Sequence, residues 1–550
     1  MTAYLRDAPL GLALEHAEEF ATGTIVHDEE EVVRALEAVV QRDDERVVHG
    51  GQDLTLRQTA LQLVPRNHLL LRQDLHRKVC FFVCRFIILQ AHEVHLANVA
   101  LADELNALEV LRAHLFRQRA HICVLGGKVL ARHCPADWVL CRRLTAADSR
   151  APIDSLRALM AESAMADTGN LPPMSAGLFG YFGYDMIRHI EAIPDANPAV
   201  IDTPDSMLVR PSLIAIFDRL KDSITFVVQV RPAEWDEPQA AWSHAQDRIA
   251  AALDALDAPM PPTEAGESTA PLPDPRSNME QGDFLAMVDA AKDYIRAGDI
   301  FQVVLSQRFS IPFHLPAINL YRSLRRLNPS PFLFFFDFDE LAIVGSSPEI
   351  LVRLRDDVVT IRPIAGTRKR GTTQEEDAAN AADLMGDVKE RAEHLMLLDL
   401  GRNDVGRVSK PGTVRVKSNY EVEYYSHVMH IASQVEGKIR PGLDAVDAMI
   451  AGFPAGTVSG APKIRAMQII DELEPDRRGV YSGAIGYISA AGDLDTCIAL
   501  RTAQVCDGQL HIQAGAGIVY DSDPQAEFEE TQNKAMALMR AAADALRFSR

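Results

Sequence analysis

The second half of the chain is crowded with short β-type runs: IFQVVLSQRFSI (300–311), FLFFFDF (332–338), LAIVGSS (341–347), VVTIRP (358–363), YSGAIGYISA (481–490), TCIALRTAQV (496–505) and HIQAGAGIVY (511–520). Only Asp339 and Glu340 separate FLFFFDF from LAIVGSS. A link that short closes a hairpin and cannot carry the crossover that parallel strands need. Helical patterns fall between other runs, so the sequence predicts an α+β fold. Its large, mainly antiparallel β-sheets are flanked by helices, rather than forming a doubly wound parallel sheet.

At 550 residues, the chain predicts about three or four folding units, or two large ones. Basic residues number 56 and acidic ones 77, giving a net charge of −21. A nucleic-acid partner is therefore excluded, because a phosphate backbone would repel the average surface. A small anion is not, since a local cation can reverse the field. No apolar stretch is long enough to cross a membrane. The opening MTAYLRDAPLGLALEHAEEF turns acidic too early for a signal peptide. Of seven cysteines only Cys497 and Cys506 lie beyond Cys141, which is no disulfide framework. A reducing cytoplasm is the expected compartment.

The first stretch has its own texture. It carries five of the seven cysteines and ten of the seventeen histidines. Helical spacing is expected over Glu29–Gln41 and Ala100–Phe116. The group His76, Cys80, Cys84, His92 and His95 has metal-ligand residue types. However, VCFFVCRFIIL reads better as a core run in which cysteine packs as a small hydrophobe. PIDSLRALMAES and AAWSHAQDRIAAALDAL (240–256) read as helices. LPPMSAGLFGYFGYDMIR (171–188) spaces Gly177, Gly180 and Gly183 three apart among aromatics, a pattern for a strand with close backbone approach and not a dinucleotide loop. Residues 206–232 read as two strands around Asp-Arg-Leu-Lys-Asp. Six prolines between Pro259 and Pro275 mark a flexible connection. The expected organisation is an atypical region at 1–150, the remainder of an N-terminal lobe at 151–258, a Pro-rich linker at 259–280 and a catalytic domain at 281–550.

Two helical segments pair carboxylates on one face, Glu390 with Glu393 and Glu527 with Glu530. Were they to meet, like charges would raise each other's pKa unless a hard divalent ion such as Mg²⁺ joined them. The same spacing also suits a solvated helix. His427 and His430, three apart in an extended run, point to opposite faces, so one can serve as an acid or base. FPAGTVSGAPKIRAMQIID (453–471) leads from a loop with Thr457 and Ser459 into a helix beginning near Pro462. Its N-terminal N–H groups, the hydroxyls of Thr457 and Ser459, and Lys463 are candidates for binding an anion, though the order is not that of a Walker loop. Gly515 and Gly517 allow a ligand to approach a strand backbone. Arg501 suits bidentate carboxylate recognition.

The motifs SSPEILVR, RPIAGTRKRG, ERAEHLMLLDLGRNDVGR, YSHVMHIASQVEGK, FPAGTVSGAPKIRAMQIID, YSGAIGY, CIALRT and AGAGIVYDSDPQAEFEETQNKA occur in one order. Together they resemble the chorismate-utilising enzyme family over about 152–550, most densely over 284–540. The resemblance implies that Glu393 and Glu530 ligate Mg²⁺, with Glu390 and Glu527 supporting. It implies a substrate pocket near Thr457, Tyr481, Arg501, Gly515 and Gly517. Glu349 is implied as the acid at the departing 4-hydroxyl, and His430 as the residue needed for pyruvate elimination. The implied reaction, the first step of tryptophan biosynthesis, is a lyase reaction that aminates chorismate and then expels pyruvate to leave anthranilate.

Two positions separate the family's branches. Gln302 stands where water-adding members carry a lysine, and amide nitrogen has no useful basicity. Ala365 stands where makers of aminodeoxychorismate carry a nucleophilic lysine, and a methyl group cannot form an adduct. The folate-pathway product and a catalytically inactive binding subunit remain the alternatives. No glutaminase nucleophile is found, so a separate glutamine amidotransferase subunit is expected to supply ammonia within a hetero-oligomer. Asn328, Pro329, Ser330 and Pro331 resemble one wall of an inhibitory tryptophan pocket. The motif for the other wall is missing from 1–150, so weak or absent tryptophan binding is expected. That region is either genuinely divergent or does not represent the natural protein; its abrupt compositional change favours the second.

Overall fold

The computed structural model describes residues 121–125, 142–143 and 151–549, apart from 166–168, 170, 232–233, 260–271 and 426–427. The expected helices at Glu29–Gln41 and Ala100–Phe116, the His76–His95 group, His427 and most of the Pro-rich connection lie outside these residues.

Two large sheets dominate. Among the described residues the first has eleven strands. Its path runs Ile364–Lys369, Val428–Lys438, Val358–Ile361, Ile350–Arg355, Leu494–Ile498, Ala484–Ser489, Gly177–Phe182, Ser206–Arg210, His121–Leu125, Arg142–Arg143. Arg415–Tyr424 also pairs with Val428–Lys438. The second has seven strands: Gly460–Ala461, Gln302–Pro312, Gln509–Ile518, Thr502–Cys506, Leu341–Ser347 and Phe332–Asp337 in order, with Arg276–Ser277 beside Gln302–Pro312. Among the described residues every ladder is antiparallel apart from the two-residue pairing at Arg142–Arg143.

The glycine-spaced strand behaves as its spacing implies. Gly177 and Gly180 have φ of 142° and 156°. A Cβ there would stand 2.1 Å from the Ile488 carbonyl oxygen and 2.0 Å from that of Met207. Both neighbouring strands close in because side chains are missing. Residues 206–232 depart from expectation. The hairpin Leu213–Asp218/Ser223–Val228 turns where predicted, with Asp218 Oδ1 accepting the N–H groups of Leu220 and Lys221. Ser206–Arg210, however, is a separate third strand in the large sheet. Pro211 has no N–H to continue the ladder, so the run breaks there.

Among the described residues the α-helices are α1 (Pro152–Ser163), α2 (Pro238–Asp257), α3 (Gln281–Ala297), α4 (Ala317–Leu327), α5 (Gln374–Gly386), α6 (Val388–Val408), α7 (Ala445–Gly452), α8 (Lys463–Leu473) and α9 (Pro524–Asp544). Those bearing the paired glutamates start on side-chain caps: Asp387 accepts the N–H groups of Lys389 and Glu390, and Asp523 accepts that of Ala526. Such caps contribute roughly 0.5–2 kcal/mol each and set the rotation of the first turn. The main core joins Leu351 and Val352 of the first sheet to Val303, Leu305, Ala516 and Ile518 of the second, with α7 and α8 packed among them. Truncating Leu305, Leu351 or Ile518 to alanine costs about 2–5 kcal/mol.

Candidate active site

Glu349 stands where the chain leaves the second sheet at Ser347 and enters the first at Ile350. It is 7% exposed. Thr457, on the loop before α8, donates its hydroxyl to Glu349 Oε1 at 3.2 Å. Burial pushes this carboxyl up to about 8, against the Thr457 hydroxyl and the Ile364 N–H. It is therefore a protonated acid at neutral pH.

His430 lies inside the strand Val428–Lys438, and its Nδ1 is 2.8 Å from the Gly366 carbonyl oxygen. A carbonyl only accepts, so Nδ1 carries the hydrogen and Nε2 presents a lone pair. Burial lowers the pKa of this imidazole, and the Arg501 charge pushes the same way. Arg501 sits at φ 48°. Burial lowers the pKa of its guanidinium, and among the described residues no carboxylate pairs with it. A desolvated cation without an anion suits an anionic ligand.

Gly515 and Gly517 lie on Gln509–Ile518, opposite Ser306 and Val304. A Cβ on Gly515 would stand 2.7 Å from the Tyr481 hydroxyl; one on Gly517 would stand 2.7 Å from Gln302 Nε2. Gln302 in turn donates to Glu393 Oε1 at 3.2 Å. Strand, glycines and α6 therefore meet at one place.

The paired carboxylates sense each other electrostatically across α6 and α9. Burial pushes Glu393 up, opposed by the Gln302 hydrogen bond and aided by the charges of Glu390 and Glu530. Burial also pushes Glu527 up, opposed by a Ser522 hydrogen bond and aided by Glu530. They are not bare, however. Arg368 donates to Glu390 at 2.9 Å, and Lys534 lies 2.6 Å from Glu530 and 3.0 Å from the Gly515 carbonyl oxygen. As placed, no three acidic, histidine or cysteine side chains among the described residues stand close enough to hold an ion. The donor set nevertheless fits a hard divalent cation: the groups are oxygens, two of them disfavoured as anions by burial and by neighbouring carboxylates.

Three side chains expected to meet an anion are engaged within the protein. Thr457 is held by Glu349. Lys463 Nζ lies 2.8 Å from Asp404 Oδ2 with both side chains buried, so its charge is already matched. Ser459 gives its hydroxyl to the Ala455 carbonyl at 2.8 Å. The helix beside them does begin at Lys463, as its sequence implies. Asn328, Pro329, Ser330 and Pro331 form the loop from α4 to Phe332–Asp337, where Asn328 offers its carbonyl to the Ser346 hydroxyl.

Sequence reasoning missed the support beneath the site. Arg478, 2% exposed, donates to Glu474 and to the Val304 and Val458 carbonyls, and lies over the Tyr184 and Tyr481 rings. Glu474 accepts the Ser306 N–H and hydroxyl, each at 2.8 Å. The four-residue spacing of Glu474 and Arg478 was the available signal, but an exposed helical pair looks the same in sequence.

The chain matches the family described as chorismate binding enzyme over residues 132–540. It is 57% identical over 399 residues to anthranilate synthase component 1 of Cereibacter sphaeroides, covering 72% of this chain and 80% of that one. It is 50% identical over 384 residues to the protein of that name from Pseudomonas putida, covering 69% and 77%. A solved anthranilate synthase component I from Streptococcus pneumoniae superposes with a TM-score of 0.65 at 42% identity, covering 71% of this chain and 86% of that one.

Proposed function

The chain belongs to the chorismate binding enzyme family, and from that membership we propose that it converts chorismate and ammonia to anthranilate and pyruvate. Ammonia comes from a glutamine amidotransferase subunit, and a divalent cation, Mg²⁺, is held by Glu393 and Glu530 with Glu390 and Glu527 behind them. When bound, that cation offsets the substrate's negative charge among the carboxylates. The observation that carries the reading is the buried Glu349 carboxyl, kept protonated near neutrality with its proton available for a leaving oxygen.

Chorismate carries two carboxylates. Arg501 is the unmatched buried cation for one, while Gly515, Gly517, Tyr481 and Thr457 shape the surrounding wall. Hydroxide is a poor leaving group, so Glu349 gives its proton to the 4-hydroxyl as ammonia bonds to C2, and water departs. Gln302 has no basicity with which to activate water as a competing nucleophile. His430, neutral and with Nε2 free, then takes the C2 proton as the enolpyruvyl group leaves C3 and the ring becomes aromatic. Ala365, on Ile364–Lys369, cannot form a covalent adduct, which opposes the aminodeoxychorismate alternative. An inactive binding subunit is disfavoured by the poised acid and base. Asn328, Pro329, Ser330 and Pro331 are assigned to one wall of a tryptophan pocket whose other sequence motif is missing from 1–150, so tryptophan is bound weakly or not at all. We place the protein in the cytoplasm; among the described residues no helix is long and apolar enough to cross a membrane.

The test is incubation with chorismate, MgCl₂ and an ammonium salt. Fluorescent anthranilate and released pyruvate support the reading; aminodeoxychorismate without pyruvate would replace it.

A further inference from the structure

Behind Glu349 lies a cavity of about 30 Å³, walled by Leu397, Leu400, Gly401, Pro363 and Gly456 and reaching Asp404. That is more than the roughly 10–15 Å³ one ordered water requires. Asp404 is 4% exposed. Its Oδ2 accepts from Lys463, whereas Oδ1 is buried without a hydrogen-bond partner among the described residues. A buried carboxylate oxygen left in that state is a penalty to the fold, and an ion pair alone needs neither the second oxygen nor the space before it. The groups facing this carboxylate are Lys463 from α8 and Arg407 from its own helix; Thr457 faces Glu349 at the other end.

We propose that Asp404, held by Lys463, relays protons through water in this cavity to Glu349. Asp404 would be a positioning residue for the proton supply rather than a group that touches substrate. The proposal rests on the reading of Glu349 as the acid. In each turnover the Glu349 proton goes to the 4-hydroxyl oxygen as the C4–O bond breaks, releasing water. Glu349 is left as a buried carboxylate and must regain one proton. A solvent proton passes to Asp404 Oδ1, across the water, and onto Glu349, which restores both groups with no net change in the relay. Burial favours the protonated form of Asp404 against the two cations, so it can carry a proton in transit.

Two variants test this in the full chain with chorismate, Mg²⁺ and ammonium. Asp404→Asn keeps the shape but has no carboxylate oxygen to take up a proton and release it again. Gly401→Ala puts a methyl into the cavity, where its Cβ meets nothing nearer than Ile361 Cγ2 at 3.4 Å. Such a fit, on a helix, leaves the fold intact. For both we expect kcat to fall about tenfold, KM for chorismate to stay within about twofold, and the solvent deuterium isotope effect on kcat to rise. Parental kcat and isotope effect in a folded Gly401→Ala protein would overturn the relay. So would an Asp404→Asn loss restored fully by excess ammonium, which would make the cavity an ammonium subsite. Glu349→Gln separates the two levels: if it too turns over normally, the acid assignment fails; if it alone is impaired, only the relay fails.

Discussion

Thr457 donates its hydroxyl to Glu349 Oε1 across 3.2 Å, and the carboxyl it touches is nevertheless pushed up to about 8. Burial outweighs the hydrogen bond. Activity should therefore fall as pH rises through about 8, when the acid ionises. Thr457→Val removes a contact that favours the ionised form, so the alkaline limb should move to higher pH. A pH–kcat profile of the two proteins checks the direction. An alkaline limb that stays in place or moves lower would remove Thr457 from the acid's control.

The same carboxyl predicts a stability signature. Its folded pKa is raised, so between about 4.5 and about 8 the folded state holds a proton that the unfolded chain releases. Stability from this group is thus greatest at low pH and is lost as pH climbs across that window. Glu349→Gln has no such slope. Relative to the parent, the variant should gain on the order of a few kcal/mol by pH 8 and little at pH 5. Thermal unfolding at the two pH values measures the difference.

Glu393 and Glu527 are pushed up by burial while neighbouring carboxylates add to the penalty. A bound Mg²⁺ relieves both, so millimolar MgCl₂ should raise the melting temperature of the parent. Glu393→Gln should abolish most of that rise, and chelation should remove activity that added MgCl₂ restores. An unchanged melting temperature on adding Mg²⁺ would contradict this ligand set.

Gly515→Ala places a methyl 2.7 Å from the Tyr481 hydroxyl and 2.9 Å from the Leu305 carbonyl. Leu305 is fixed in the ladder with Gln509–Ile518, and the Tyr481 ring is held beneath Arg478, so neither yields cheaply. We expect a chorismate KM raised about tenfold or more together with a lower melting temperature, read from steady-state kinetics and melting curves.

Much of this was legible in the chain. Short β-runs, one pair of them joined by only Asp339 and Glu340, pointed to antiparallel sheets, and three-spaced glycines pointed to the tight strand at Gly177–Phe182. The paired carboxylates on two helices and the histidines at 427 and 430 were visible from spacing, whereas Glu349 as an acid came only from the family resemblance. What escaped was pairing between distant positions. Lys463 looked like a free cation, yet it pairs with Asp404, 59 residues away. Ser306 and Glu474 meet across 168 residues. Spacing reports what one helix or strand presents to its surroundings, not which distant element arrives there. The break at Pro211 was readable from its missing N–H, and the two-strand expectation for 206–232 overlooked it.

The division of labour between Glu349 and His430 is the centre of the account, and His430→Met probes it most directly. In a single turnover with chorismate, Mg²⁺ and ammonium, resolved by mass, the account predicts that chorismate disappears at close to the parental rate. The aminated intermediate should accumulate with its enolpyruvyl group attached, and anthranilate should form at least about a hundredfold more slowly. Parental anthranilate output from that variant, or failure of chorismate to react in a folded protein, would contradict it.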